Sequence, residues 1–466
     1  MAKGYLAYEV DQPLLLPADM REWLPEGHLA LFVLDVVAEL DLSAIRRVHE
    51  AKDDRGRAGF HPRMMVALIL YGYCLGKASS RRIERATYED VGFRVLAGGQ
   101  HPDHDSIATF RKEHLQALSA LFMQVLRLCQ KAGLVKLGHI ALDGTKVRAN
   151  ASKHKAMSHE RMGTTEKRLQ EEVKELLAKA EEADAEEDEA HGKGQRGGDE
   201  LPQELARRES RLRKIREAKA ALEQEAKDKA AEANAEALAK RAEREQAAAE
   251  KGKKATGPQP TLVDPEQAVP EPKAQRNFTD PESRIMPDGA NKGAFVQAYN
   301  AQIAVDAETQ IVVAAYVTQH ANDVCELIPM AELIVKNVGG LATTTSADAG
   351  YFSAKNVEHP ALAGTNLLVP PTRQKHGSPA LPTSCDSNAW AADRMRQKLA
   401  DPVGRELYKM RKAIVEPVFG QIKGARQLRQ FLLRGFQAVQ AEFSLMTLTH
   451  NLLKLWRSGL RVSGAF

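Results

Sequence analysis

Little in the sequence could stabilise the chain from outside a hydrophobic core. The four cysteines, Cys74, Cys129, Cys325 and Cys385, lie far apart, with no Cys-x-x-Cys pair and no cysteine–histidine group at zinc spacing. That excludes a disulfide scaffold or a zinc ribbon and points to a reducing compartment. No apolar run approaches the ~18 residues of a membrane span, and the N-terminus MAKGYLAYEV has no basic patch followed by an apolar stretch, so a cytoplasmic protein is expected. A dominant charge is missing too: 66 Lys and Arg against 62 Asp and Glu leave +4, and a nucleic-acid partner has to be sought in local clusters. There is no glycine-rich loop ending in Lys-Ser or Lys-Thr, which excludes a P-loop nucleotide site.

What is present is length and pattern. At about 100 to 200 residues per domain, 466 residues imply two to four units. From Tyr5 to about Lys136 the pattern is helical: His61-PRMMVALILYGYCLGK carries apolar residues at helical spacing behind a His-Pro entry signal. A second helix is expected from Ser79-Ser80, a serine cap followed by Arg81, Arg82 and Arg85, and a third from Asp105-Ser106 through Arg111. Short helices with basic leading ends fit a helix-turn-helix module approaching DNA, and equally fit a bundle with solvated basic faces.

The period changes at Gly138-His139-Ile140-Ala141-Leu142-Asp143-Gly144, which reads as a strand ending in a carboxylate at an Asp-Gly turn. Residues 165–251 are rich in Ala, Glu, Lys and Arg, and two helical seams flank His191-GKGQRGGDELP: Leu169, Val173, Leu176, Ala180 and Ala183, then Leu205, Arg208, Leu212, Ile215, Lys219 and Leu222. They suggest an antiparallel coiled-coil hairpin, followed by a proline-rich linker over 252–275. A hairpin is expected from Phe295-VQAYNAQIAVD and Gln310-IVVAAYVT, then a helix from about Asp323 to Lys336, a β-branched run Thr343-TTSADAGY ending in Asp348, a short strand at Leu367–Val369, and helix from Gly404 to about Trp456.

Two aspartates at strand ends would converge if their strands are neighbours. Hard divalent ions take oxygen ligands and are often held by two or three carboxylates, and a pair of such ions stabilises both the attacking and the leaving oxygen of a phosphoryl displacement. The best third acid is Glu416, in Tyr408-KMRKAIVEPVFGQIKGARQLRQ, where Arg411, Lys412, Lys423, Arg426 and Arg429 make the most basic segment near any carboxylate. Pro417 beside it marks a helix start or a kink. Singly, the acids also read as a turn former, a cap and a surface charge. His139, His104 and His320 read as structural histidines, Asp280 and Asp288 as turn formers, and Asn300 and Asn322 as site-lining groups.

The segments Ile140-ALDGTKVRANAS, Asn277-FTDPESRIM, Phe295-VQAYNAQIAVD, Ser346-ADAGYFS and Arg411-KAIVEPVFGQIK, in this order, resemble the successive motifs of bacterial insertion-sequence transposases of the DDE superfamily. The resemblance is to the group with a tyrosine, arginine, glutamate, lysine signature, and His61-PRMMVALILYGYCLG with His104-DSIATFRKEH resembles that group's helical N-terminal domain. It implies an α+β chain with an RNase H-like mixed sheet. The first aspartate (Asp143) lies on the first strand, the second (Asp348) follows the fourth, and Glu416 sits on a later helix, the three holding Mg²⁺ or Mn²⁺, two ions in all. Tyr408, Arg411 and Lys423 match the signature, with one departure: four residues separate Arg411 from Glu416 where three are expected, so either Lys412 takes the arginine's role or the spacing is relaxed. DNA contacts are expected from Tyr408, Arg411, Lys412, Lys423 and Arg426, and from Arg81, Arg82, Arg85 and Arg111.

The domain plan that follows is a helical DNA-binding domain over 1–136, the start of the catalytic core at 137–164, the insertion at 165–251, the linker at 252–275 and the rest of the core at 276–466. The partners implied are double-stranded DNA, as terminal repeats and target, and a second copy of the chain; a nucleoid-associated cytoplasmic protein is the corresponding location. A nuclease without strand transfer, a non-catalytic DNA-binding derivative and a structural coiled-coil protein remain as other readings.

Overall fold

The computed structural model describes residues 19–50, 59–191, 200–250, 259–289, 291, 293–372 and 389–459. The chain divides into two compact units, one of Met1–Arg148 with Tyr299–Phe466 and one of Ala149–Ala298. Cys385, the glycine-rich turn at 192–199 and the first part of the proline-rich linker lie outside the described residues.

The first unit opens with helices α1 (Leu29–Glu39), α2 (Ser43–Glu50), α3 (Pro62–Cys74), α4 (Ser80–Glu89), α5 (Val91–Leu96), α6 (His104–Glu113) and α7 (Leu115–Lys131). α3 is the central one: apart from Arg63 all of it is buried. Its entry is as expected, with Pro62 in the first turn, where a missing N–H costs nothing, and the His61 ring accepting from the Arg63 N–H. Ser79 does precede α4, but its hydroxyl makes no capping bond. The clearest cap is Asp103, whose carboxylate takes both the N–H and the hydroxyl of Ser106 at the start of α6.

The same unit holds β1 (His139–Arg148), most of β5 (Phe295–Asp306), β6 (Val312–Thr318), helix α10 (Leu327–Val338), β7 (Thr344–Ser346), α11 (Ala354–Val357), β8 (Asn366–Leu368), α12 (Ala389–Ala400), α13 (Pro402–Phe419) and α14 (Phe436–Arg457); β2 to β4, α8 and α9 belong to the second unit. The strand order is β6-β5-β1-β7-β8. β5 and β6 form the expected antiparallel hairpin, and β1, β7 and β8 run parallel to their neighbours in turn. α14 packs on α7 and α3 on one side and on β6 on the other. The N-terminal helices and the sheet therefore share one core, and 136/137 is not a boundary between compact units. α14 can do this because it is buried almost all round, Glu442, Thr447, Thr449 and Asn451 included.

Two local readings change. β1 does not end at Asp143-Gly144 but runs through to Arg148. Gly144 is there because the neighbouring strand leaves no room, since a Cβ would collide with the side-chain amide of Gln302 and the Asp323 carboxylate. Pro417 neither starts nor ends α13: it lies inside the helix, which passes into a π-turn at Gly420–Ala425. The proline has no N–H to give the Ala413 carbonyl, and that carbonyl instead accepts from the Gln310 side chain at 3.2 Å.

In the second unit β2 (Ala156–Ser158) pairs antiparallel with β3 (Gln275–Asn277), and β4 (Arg284–Pro287) pairs with the first residues of β5. α8 (His159–His191) and α9 (Glu200–Glu250) pack side by side. Their polarity is antiparallel, because Glu172 pairs with Arg208, Glu166 with Arg216 and Lys219, and His159 with Glu223. Met162, Leu169, Leu212, Ile215, Ala218 and Leu222 form the seam, with Met157 and Phe278 against it. Lys219, expected in the seam, lies at its edge and donates to Glu166 at 3.0 Å.

Candidate active site

The site assembles in the first unit around the middle of β1. Asp143 projects from β1, and Arg411 of α13 brings a guanidinium nitrogen to 3.7 Å from its carboxylate. Asp348 follows β7 directly, and because β7 is parallel to β1 the two acids leave the sheet side by side. Asp348 caps a short 3-10 turn by accepting the Gly350 N–H at 2.8 Å. The Asp143 carboxyl is pushed up from 3.8 to about 6: burial raises it, Arg411 opposes, and the negative charges of Asp348 and Asp323 raise it further.

Asp323 belongs to the site as well, although the sequence marks it only as the start of a helix. It precedes α10 and accepts the side-chain amides of Asn300 and Gln302, each at 2.6 Å. Asn300 is fully buried, and its carbonyl oxygen has no partner among the described residues. The hydroxyl of buried Tyr351 donates to the Gln302 carbonyl oxygen. Lys146, also on β1, places its ammonium 3.8 Å from Asp323 with both side chains about one-fifth exposed (19% each). Burial lowers the pKa of Lys146, against the pull of Asp323, Asp348, Glu326 and Asp143. A Cβ on Gly350 would press on Asp348 and approach Asp323, so the two glycines make the space in which these acids meet. The only signal for Asp323 in the sequence was Asn322-Asp323 ahead of a helix, which any cap would give.

Glu416 is apart from this cluster. It is exposed on α13 and has no hydrogen bond or ion pair among the described residues. The spacing departure explains why: five residues at about 100° each put it about 140° round the helix from Arg411, while buried Val415 occupies the turn nearer Arg411's face. Exposed Lys412, one turn before Glu416, shares its face. Among the described residues no group of three His, Cys, Asp or Glu side chains is close enough to hold a metal ion. Tyr408 is half-buried with the Arg411 guanidinium over its ring, 6.0 Å from the centroid. Lys423 donates to the Thr145 hydroxyl at 2.7 Å and the Lys146 carbonyl at 2.8 Å, which ties the π-turn to β1.

The expected DNA contacts divide. Arg81, Arg82 and Arg85 are exposed along α4. Arg426 and Arg111 are core residues, 3% and 2% exposed, and not the phosphate contacts expected from the sequence. The Arg426 guanidinium is spent on the Thr449 hydroxyl and the Met446 and Tyr73 carbonyls, and Arg111 donates to the Ala78 carbonyl. Each of the three histidines has a partner: His139 bonds Ser346, His104 bonds Glu84, and His320 bonds Glu326.

Two family models match the chain: a transposase domain (DUF772) over residues 18–113 and a transposase DDE domain over 372–456. Over these two segments the chain is similar to DDE transposases. No curated protein and no solved structure matches. The first match covers the helices from α1 to α6, and the second covers α13, which carries Glu416 and Arg411, together with most of α14. Such enzymes act on DNA and typically use a divalent metal. No helix among the described residues is long and apolar enough to cross a membrane.

Proposed function

We propose that the chain cuts DNA at the ends of an insertion sequence and joins the freed 3′-OH to target DNA, on an RNase H-like core. The observation that carries the reading is the pair Asp143 and Asp348 on parallel neighbouring strands, with Arg411 beside them. The mixed sheet supports it, with a hairpin on one side of β1 and two parallel strands on the other, and so does the position of Asp348 behind the fourth strand of its unit.

The donor set fits a hard cation. It is all oxygen, and a carboxyl driven up to about 6 by burial and like charges is relieved by positive charge. Asp143 and Asp348 would hold Mg²⁺ or Mn²⁺, which supplies Lewis-acid activation and charge neutralisation at the phosphate. Glu416 is proposed as the third acid, which requires α13 to turn so that the face carrying Glu416 and Lys412 meets the metal and the DNA backbone. Arg411 orients Asp143, and Tyr408 supports Arg411. Lys423 holds the π-turn against β1. Arg81, Arg82 and Arg85 on α4 are proposed to contact phosphates of the element's end, and α8 with α9 is read as a coiled-coil hairpin that brings a second copy of the chain.

The test is cleavage of a supercoiled plasmid carrying the sequences that flank the open reading frame, with Mn²⁺ present. Asp143→Asn or Asp348→Asn is expected to lower cleavage at least about 100-fold with DNA binding kept, and Glu416→Gln to do the same. Unchanged cleavage in either aspartate variant overturns the site. Joining of the product to a second duplex separates a transposase from a nuclease.

A further inference from the structure

Lys146 has no assigned part in the site. Its ammonium is mostly buried among the acids, yet none of its three N–H groups has a hydrogen-bond partner among the described residues. A lysine that served only as counter-ion would donate to a carboxylate at about 2.7–2.9 Å. Here the nearest recorded carboxylate oxygen, Asp323 Oδ1, is 3.8 Å away and already accepts two amides. That oxygen is fixed, because Asn300 and Gln302 are buried on β5 and Gly144 leaves no slack beside it. The ammonium is therefore held by charge, with its donors unspent, and feels the charges of Asp323, Asp348 and Asp143.

We propose that Lys146 is a catalytic residue whose ammonium donates to a non-bridging oxygen of the phosphate being cut, and that Asp323 is the residue that positions it. This rests on the transposase reading above. As water's oxygen bonds to phosphorus and the P–O3′ bond breaks, negative charge builds on the non-bridging oxygens. Lys146 stabilises that charge and keeps its proton throughout; the water's proton leaves to solvent, and the departing 3′-oxygen takes one from solvent.

The experiment uses the full chain and the same plasmid assay. Lys146→Ala is expected to lower kcat about 100-fold, with KM and DNA affinity within threefold and an unchanged thermal midpoint. Adding propylammonium should recover at least tenfold in Lys146→Ala and nothing in Asp143→Asn, a response that a merely structural lysine would not give. Lys146→Gln, which keeps polarity but not the charge, serves if the alanine variant does not fold, and is expected to show the same loss without rescue, because its side chain fills the space the amine needs. Asp323→Asn, which keeps the shape but not the charge, is expected to lose kcat at least tenfold. Activity of Lys146→Ala or Lys146→Gln within threefold of wild type, or a loss in a folded Lys146→Ala that propylammonium does not recover, overturns the role of Lys146. An inactive wild-type chain is a different result: it removes the proposed function, and the inference with it.

Discussion

Asp143, proposed for catalysis, is a side chain whose charged form is unfavourable for stability. Its carboxyl titrates at about 6 in the folded chain against 3.8 ordinarily, so protonation favours the fold. The associated stability is fully present below about pH 3.8 and is lost as pH rises through 6, by on the order of 3 kcal/mol at 1.36 kcal/mol per unit. In metal-free buffer at pH 7.5, Asp143→Asn should therefore resist urea better than wild type, and the difference should shrink by pH 5; an asparagine variant that is no more stable at pH 7.5 contradicts this. Mg²⁺ or Mn²⁺ should raise the thermal midpoint of wild type, by an amount equivalent to about 2.7 kcal/mol at a hundredfold excess over Kd, and leave Asp143→Asn unmoved. Arg426 is the opposite case, a basic residue whose value is structural. Arg426→Ala strands the Thr449 hydroxyl and two carbonyls and should cost about 3 kcal/mol or more, while DNA affinity per folded molecule stays the same.

At the scale of elements, helices and strands were mostly legible because their signals are local. The His61-Pro62 entry, the β5–β6 hairpin and the β-branched run of β7 depend on residues within a turn or two of each other. The misread features depend on neighbours in space. Asp143-Gly144 has turn chemistry, yet the strand continues, because Gly144 is required by the side chains of β5 and Asp323 packed on it. Pro417 would break an isolated helix; here the orphaned Ala413 carbonyl finds Gln310. Gly76 has φ +71°, and a Cβ there would run into the Arg426 carbonyl. Gly76→Ala should therefore destabilise by more than about 1 kcal/mol, read as a lower denaturant midpoint. In the second unit, Ile215→Ala removes a buried seam residue and should cost about 2–5 kcal/mol in whichever unfolding transition reports α8 and α9. No loss of helical signal in that transition would dismiss the seam.

For the whole molecule, two compact units imply two unfolding steps where a single-core chain would give one, and calorimetry distinguishes them. Removing residues 165–251 should reduce a dimer to a monomer by light scattering if the helical pair brings copies together, and an unchanged assembly removes that role. The order of the motifs, the strands that carry Asp143 and lead into Asp348, and the helical insertion all follow from residue type and short-range spacing, which fix local conformation and chemistry. Three things could not: that the N-terminal helices share a core with the sheet, that Arg426 and Arg111 face inward, and that Asp323 and Lys146 join the two aspartates while Glu416 stands on another face of α13. Each of these is set by which surfaces pack together across long separations in the chain. A one-residue shift on a helix, or one glycine on a strand, changes what a side chain meets without changing the pattern that made it a helix or a strand.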